Sequence, residues 1–281
     1  MRIAVTGATG FIGRHVVAEL ARRSITPLLV LRPSSLLPAE MAEYPVVRID
    51  LADPPANAYE KMARPDALIH LAWGGLPNYR SLHHFETELP RQYMFLKQLV
   101  DAGLARLLVT GTCFEYGMQC GPLHESAPAQ PSNPYGFAKD VLRQQLVYLN
   151  QQLPFHLTWA RLFYLYGDGQ AATSIHAQLR SAAERGDATF DMSGGEQLRD
   201  YLPVADVARH LVSLSLVQGS TGIVNVCSGT PISVRRLVER WIEDKGWSIR
   251  MKLGVYPYPA YEPMAFWGDA TRLEQCLGTR S

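Results

Sequence analysis

The sequence predicts an α/β fold: a doubly wound parallel sheet followed by a smaller C-terminal α/β lobe. Three observations lead there. Through residues 1–167, short apolar runs alternate with amphipathic stretches. The short runs are continuously apolar, as strands covered by helices on both faces are. After about Gly167 the rhythm loosens, which marks a second unit over 168–281 that interleaves with the first.

Residues 2–6 (RIAVT) read as the first strand, and 11–23 as a helix with Ile12, Val16, Val17 and Leu20 on one face. Residues 27–32, 45–49 and 67–72 supply three more strands, 84–102 a long helix and 106–111 a fifth strand. Another helix is expected over 134–152 and a strand over 155–162. Beyond them lie helical stretches at 173–185 and 204–217, separated by a hairpin-like segment at 187–200. A strand at 222–226, a helix at 233–245 and a Tyr/Pro-rich tail complete the pattern. There is no internal repeat and no linker of flexible composition.

The chain has 281 residues, 47% apolar and 19% charged, which supports a large core and argues against disorder. Lys+Arg numbers 27 and Asp+Glu 26, a balance that argues against nucleic acid as partner, because phosphate binding needs surplus cations. The four cysteines, at 113, 120, 227 and 276, lack metal-site spacing, so a reduced, metal-free protein is expected. No apolar run has membrane-spanning length. The chain enters its first strand directly after Met1-Arg2, without a cationic leader, so a cytoplasmic location with no membrane partner is expected.

Between the first strand and helix lies TGATGFIG, with Gly7, Gly10 and Gly13 spaced G-x-x-G-x-x-G. Glycine there permits a tight turn and close approach of the backbone to a pyrophosphate, and the helix N-terminus adds N–H groups and a positive dipole end. This strand–turn–helix context makes the first unit a Rossmann-type dinucleotide-binding domain, with Gly7, Gly10, Phe11, Ile12 and Gly13 at the cofactor. An NAD site usually has a carboxylate at the end of strand two. Here that end reads Leu31-Arg32-Pro33-Ser34-Ser35. Arg32, Ser34 and Ser35 suit a 2′-phosphate, so NADP(H) is the preferred cofactor and NAD(H) the alternative. Asp50 and Leu51, after strand three, are placed to meet the adenine, though Asp50 could equally cap the turn.

Tyr135 and Lys139 stand four residues apart in Asn-Pro-Tyr-Gly-Phe-Ala-Lys, on one helix face. An adjacent ammonium favours a phenolate, and bringing a phenol from ~10 to near neutrality asks for roughly 4 kcal/mol. Such a tyrosine exchanges a proton with a substrate oxygen. Upstream, Thr110-Gly111-Thr112-Cys113-Phe114-Glu115-Tyr116-Gly117 follows strand five, at the sheet edge where α/β folds bind ligands.

With these segments the chain resembles the extended short-chain dehydrogenase/reductase family, which includes the NAD-dependent epimerase/dehydratase group. The resemblance spans nearly the whole chain through TGATGFIG, DALIHLAW, GTCFEYG, PYGFAK, ARLFYLYGDG, LRDYLPVADVA and DATRLEQCLG, in the family's order. It implies that Thr112 holds the reacting oxygen and that Tyr135 is the general acid/base. It also implies that Lys139 holds the nicotinamide ribose, with Leu71, Ala72 and Trp73 lining the cofactor. Tyr164 and Arg199 fall at substrate positions, Arg199 where relatives contact a nucleotide-sugar diphosphate; a surface charge is the alternative for it. A homodimer through the two long helices is the family expectation.

Departures narrow the expected activity. Dehydratases of this kind carry Asp-Glu directly after the catalytic Ser/Thr, where this chain has Cys113-Phe114. The cysteine of C3/C5 epimerases falls one position later than Cys113, which reads as a small buried residue. Tyr164 and Glu88 replace usual asparagines, and the tail through Tyr256, Tyr258 and Tyr261 lacks a second diphosphate-gripping arginine. The final segment of many relatives is absent after Gly278. His83 and His84 point to different helix faces, so at most one can face the site, and an exposed loop is the plainer expectation for both. Trp267 reads as a core aromatic. The expected function is NADPH-dependent reduction of the C4 ketone of a nucleotide-linked 4-keto-6-deoxyhexose. The alternatives are a 4-epimerase that retains NAD, and a non-catalytic dinucleotide-sensing scaffold.

Overall fold

The computed structural model describes residues 1–258 and 262–278. In chain order the first elements are β1 (Ile3–Thr6), α1 (Phe11–Arg22), β2 (Leu28–Leu31), β3 (Val46–Arg48), α2 (Ala58–Lys61), β4 (Ala67–His70) and α3 (Leu89–Asp101). Next come β5 (Arg106–Thr112), β6 (Gly121–Leu123), α4 (Pro134–Gln152), β7 (His156–Leu162) and β8 (Tyr164–Tyr166). They are followed by α5 (Ile175–Glu184), β9 (Thr189–Asp191), β10 (Leu198–Arg199), β11 (Tyr201–Pro203), α6 (Val204–Leu216) and β12 (Gly222–Val226). The last are β13 (Ile232–Ser233), α7 (Val234–Lys245), β14 (Arg250–Lys252), β15 (Phe266–Gly268) and α8 (Thr271–Leu277).

Seven strands form one sheet in the order β12-β7-β5-β4-β1-β2-β3, and every pairing in it is parallel. This is a Rossmann-like α/β fold. Strand faces explain the continuous apolar runs. In β1, Ile3 and Val5 join the core under α1 and α6, whereas Ala4 joins the core under α3 and α4. The chain departs in opposite directions from β1 toward β2 and β4, which opens a crevice at the strands' carboxyl ends.

The smaller lobe packs α5 and α7 around Leu179, Phe190, Leu237, Val238 and Trp241. The chain returns to the first unit: α6 packs on α1, β12 joins the main sheet beside β7, and β15 forms a separate two-stranded sheet with β6. The expected hairpin at 187–200 does not form. Instead β9 pairs with β14 in parallel, and β10 pairs with β13. The intervening segment is drawn onto the start of α7, where Val234 N–H donates to Gln197 O (3.0 Å) and Arg235 N–H to Gly195 O (2.8 Å). The long helix expected from residue 84 begins as a π-helical turn, His84–Glu88, before α3. Among the described residues, no helix is long and apolar enough to cross a membrane.

Candidate active site

The glycine turn has the geometry a dinucleotide needs. Gly7 adopts φ +68°, and a Cβ there would fall 2.9 Å from Ala72 N. At Gly13 a Cβ would lie 2.1 Å from Gly7 O, so this glycine lets α1 pack under the turn. No side chain caps the N-terminus of α1, leaving its first N–H groups available to an anion. The turn opens on a cavity of about 790 Å³, within the range of cofactor sites.

Gly7, Gly10, Arg32, Ser34, Ser35, Asp50, Leu51, Leu71, Ala72 and Trp73 all line this cavity. The expected residues Phe11, Ile12 and Gly13 are not in its wall: Ile12 packs on the core, and Phe11 meets His15 edge-on. No motif marks Arg48, whose guanidinium donates to the carbonyls of Arg32 (3.1 Å), Pro33 (2.9 Å) and Ser35 (2.9 Å). That clamp shapes the loop carrying Arg32. Asp50 Oδ1 accepts the Ala52 N–H at 2.9 Å. Glu88, Arg91 and Gln92 close the cavity's far end.

Thr112, Tyr135 and Lys139 meet at the carboxyl end of β5. Thr112 ends the strand and caps the 3₁₀ turn Cys113–Tyr116: its N–H donates to Glu115 Oε1 at 2.8 Å, and its hydroxyl accepts the Phe114 N–H at 3.3 Å. Helix α4 starts here because the Asn133 side chain accepts the Gly136 N–H (2.9 Å) and Pro134 fills the first turn. Tyr135 and Lys139 are buried, and the Thr112 side chain stands near enough to the Tyr135 phenol to act on its proton. Lys139 Nζ donates to Thr110 O at 2.9 Å and lies 4.0 Å from the Trp73 ring centroid.

The electrostatics differ from the expected phenolate. Burial pushes the Tyr135 phenol well above its ordinary range, and Thr112 pulls only weakly against it. Burial also draws Lys139 down to about 7, opposed by the charges of Glu115 and Glu88. The Lys139 ammonium stands 5.9 Å from the Tyr135 ring centroid, and desolvation outweighs it. Tyr135 therefore carries its proton in this state.

Glu115, read from sequence only as part of a motif, anchors the edge. Its buried carboxylate accepts from Arg161 Nε (2.6 Å) and Trp159 Nε1 (3.0 Å) as well as from Thr112 N. Gly111 makes room for this, since a Cβ there would lie 2.2 Å from Trp159 Nε1. Burial pushes the Glu115 carboxyl up, while Arg161 and the N–H donors pull it back. Cys113 is buried, and burial raises its thiol.

A second cavity, of about 380 Å³, adjoins Tyr135 through Tyr79, whose ring lies 5.5 Å from the Tyr135 ring. Tyr164 and Arg199 line it. Arg199 is no surface charge: it is buried and paired with Glu262 at 3.0 Å. Tyr164 Oη, Gln170 Oε1, His176 Nδ1, Gln197 Oε1 and Trp241 Nε1, all on this wall, are buried polar atoms without a hydrogen-bond partner in the structure. Such atoms suit a polar ligand. Tyr261 lies outside the described residues. His84 departs from the exposed-loop expectation: it is fully buried, 5.2 Å from the Tyr135 ring, whereas His83 faces Glu88 Oε1 at 3.3 Å. Trp267 is half-buried on β15.

A glycine turn opening on a dinucleotide-sized cavity, with Tyr135 and Lys139 on one helix beside Thr112, defines a class of nicotinamide-dependent enzymes. The model of the NAD dependent epimerase/dehydratase family matches residues 3–227, and the chain belongs to that family. It is an NAD(P)-dependent oxidoreductase of the extended short-chain dehydrogenase/reductase type. Over 273 residues, 95% of this chain and 99% of the relative, it is 32% identical to dTDP-6-deoxy-L-talose 4-dehydrogenase (NAD(+)) of Aggregatibacter actinomycetemcomitans. It is 25% identical over 256 residues to dTDP-4-dehydro-6-deoxyglucose reductase of Escherichia coli, covering 84% of this chain and 79% of that one. Among solved structures, MoeE5 in complex with UDP-glucuronic acid and NAD superposes with a TM-score of 0.84 at 27% identity, covering 99% of this chain and 93% of that one.

Proposed function

We propose that this enzyme interconverts a ketone and a secondary alcohol at C4 of a nucleotide-linked 6-deoxyhexose, working as an NADPH-dependent 4-ketoreductase. The observation that carries this is the gathering of Thr112, Tyr135 and Lys139 at the carboxyl end of β5, with Tyr135 and Lys139 buried on one face of α4, Lys139 Nζ donating to Thr110 O, and Cys113 and Phe114 beside them. Neither neighbour supplies the acid/base pair that loss of water from a sugar requires. The names of two relatives describe this redox change in its two directions, 4-dehydrogenase and 4-dehydro-sugar reductase.

The nicotinamide cofactor, when bound, supplies the hydride. The residues lining the larger cavity fit it, since Gly7 leaves no room for a side chain and the start of α1 is uncapped. Residues 1–167 would hold the dinucleotide and most of 168–281 the nucleotide sugar. The sugar nucleotide would fill the smaller cavity, where the unpartnered polar atoms favour it, with Tyr164 and Arg199 at the sugar and diphosphate. Thr112 would hold the C4 oxygen and Tyr135 would protonate it, a task suited to a phenol that burial keeps protonated. Lys139 would hold the nicotinamide ribose. The setting we propose is cytoplasmic, with the cysteines unpaired. A homodimer would pair the α3 and α4 faces, where Met94, Val147 and Tyr148 are exposed.

Deuteride-labelled NADPH and a panel of nucleotide-linked 4-keto sugars test the reading. Label is expected at C4, mole for mole with NADPH consumed. Tightly bound NAD, with C4 isomers interconverting and no label entering the sugar, would instead mean a 4-epimerase, the activity that the name of a UDP-arabinose 4-epimerase relative gives. No turnover across the panel would favour a dinucleotide sensor.

The NADPH preference rests on Arg32, Ser34 and Ser35, with no carboxylate at the end of β2. The relatives' names differ on this point, NAD(+) in one and NAD(P)(+) in another. Arg32→Ala is expected to weaken NADPH binding by roughly 10- to 150-fold, as loss of a charge-assisted hydrogen bond does, and to leave NADH binding almost unchanged. Calorimetric titration of both cofactors into both proteins checks this; equal losses would detach Arg32 from the phosphate.

A further inference from the structure

We propose that Trp73 and His84 are positioning residues for Lys139: the indole face holds the ammonium in place, and His84 holds the indole. The proposal rests on the reading of Lys139 as part of the reacting site. Lys139 Nζ lies 4.0 Å from the Trp73 ring centroid, over the negative face of the ring. The indole is not free to turn. Its Nε1–H donates to His84 Nδ1 at 3.1 Å, and the two rings are near parallel, 26° apart. His84 Nε2 in turn stands 2.8 Å from Asn78 O. A carbonyl only accepts, so Nε2 carries the proton and Nδ1 offers its lone pair to Trp73. That fixes His84 as the neutral tautomer, and its complete burial favours the same state.

The backbone reinforces this arrangement. Gly74 N–H donates to Glu88 Oε2 at 2.9 Å, and a Cβ on Gly74 would come within 2.7 Å of Glu88 Oε1. A Cβ on Gly75 would lie 3.0 Å from the His83 ring and 3.2 Å from the His84 ring. The loop carrying Trp73 is thus fitted to the π-helical turn that carries His84 and Glu88. Five other titratable groups act on the Lys139 ammonium or lie close to it. Glu115, from the 3₁₀ turn, and Glu88, from the π-helical turn, favour the charge. Tyr135 on the same helix holds its proton, and so does not add a counter-charge. His70 of β4 and His84 are kept neutral by burial, and so add no repulsion. Beside the Thr110 carbonyl, which accepts from Nζ at 2.9 Å, the indole face is the further support for an ammonium removed from water.

The test titrates Lys139 directly, in protein labelled with carbon-13 at lysine Cε and free of cofactor and sugar. Loss of the signal in Lys139→Met identifies it. Trp73→Leu removes the ring face, and His84→Phe fills the same space without hydrogen bonds. Both are expected to lower the Lys139 midpoint by about one pH unit, tenfold in proton affinity. His84→Gln, whose amide offers an acceptor and a donor together, should return the midpoint to the parent value. The alkaline limb of kcat/KM should move in step. An unchanged midpoint in a folded His84→Phe protein, or an equal shift in His84→Gln, would overturn the proposal. Because the titration uses neither cofactor nor sugar, such a failure leaves the functional reading standing. A parent protein that turns over no 4-keto sugar counts against that reading instead.

Discussion

Tyr135→Phe is expected to lower turnover by roughly 10²–10⁴-fold, the usual worth of a positioned general acid. One oxygen is removed and little else changes. The ring's neighbours, Tyr79 at 5.5 Å, Trp73 at 6.1 Å, His84 at 5.2 Å and Phe114 at 6.4 Å, still meet a phenyl of the same shape. Fold and NADPH affinity should therefore survive, and the loss should appear in kcat. Thr112, proposed above to hold the substrate oxygen, would remain, but an aliphatic hydroxyl is a far weaker acid than a phenol. Single-turnover measurements with saturating NADPH separate the chemical step from binding. A variant that reduces substrate near the parent rate would remove Tyr135 from the mechanism.

Glu115→Ala should cost about 3–5 kcal/mol of stability, because it leaves Arg161 charged and buried without its partner. Both side chains are almost fully excluded from solvent, and their contact is 2.6 Å. Asp140 approaches Arg161 only to 4.0 Å and is already engaged by Arg143 at 2.7 Å, so it is poorly placed to take over. The same substitution frees the Thr112 N–H and the Trp159 indole N–H. Replacing both charges, Glu115→Leu with Arg161→Met, should recover much of the stability, since the buried charge and its cost leave together. Turnover should not return with it, because Thr112 is still uncapped. Urea unfolding of the three proteins decides this. A loss under about 1 kcal/mol in Glu115→Ala would mean that the pair contributes little net stability.

The same residues show what a reader of the sequence can and cannot see. Helix α4 was legible to the residue, because Asn133 and Pro134 are local start signals and its apolar face follows the helical period. The glycine turn and the Tyr135–Lys139 pair were legible for the same reason: their geometry is set within a few positions. Glu115 was not, because its burial comes from Trp159 and Arg161 on a strand more than forty positions later. His84 was read as exposed for a like reason, since the loop bearing Trp73 and Asn78 folds over it. The hairpin expected at 187–200 failed because the partners of its strands, β13 and β14, come later in the chain and were not identified. The proton on Tyr135 is not legible in the sequence, because spacing reveals a neighbouring charge but not how much water is excluded around it.

The return of α6 and β12 to the first sheet has a consequence for how the protein is made. Val207, Leu211, Val212 and Val224 share one core with Ile3, Val5, Val16 and Leu20. While the ribosome is still adding residues near 200, α1 and six of the seven strands of the sheet have been synthesised, but α6, which covers that side, has not. Helix α6 can cover that face only once residue 216 has cleared the exit tunnel, and the seventh strand can pair only once residue 226 has. The strand beside the catalytic turn waits longer still, since Gly121–Leu123 pairs with Phe266–Gly268. The N-terminal half therefore passes through a long interval, nearly complete in sequence yet sticky on one side, in which aggregation competes with folding.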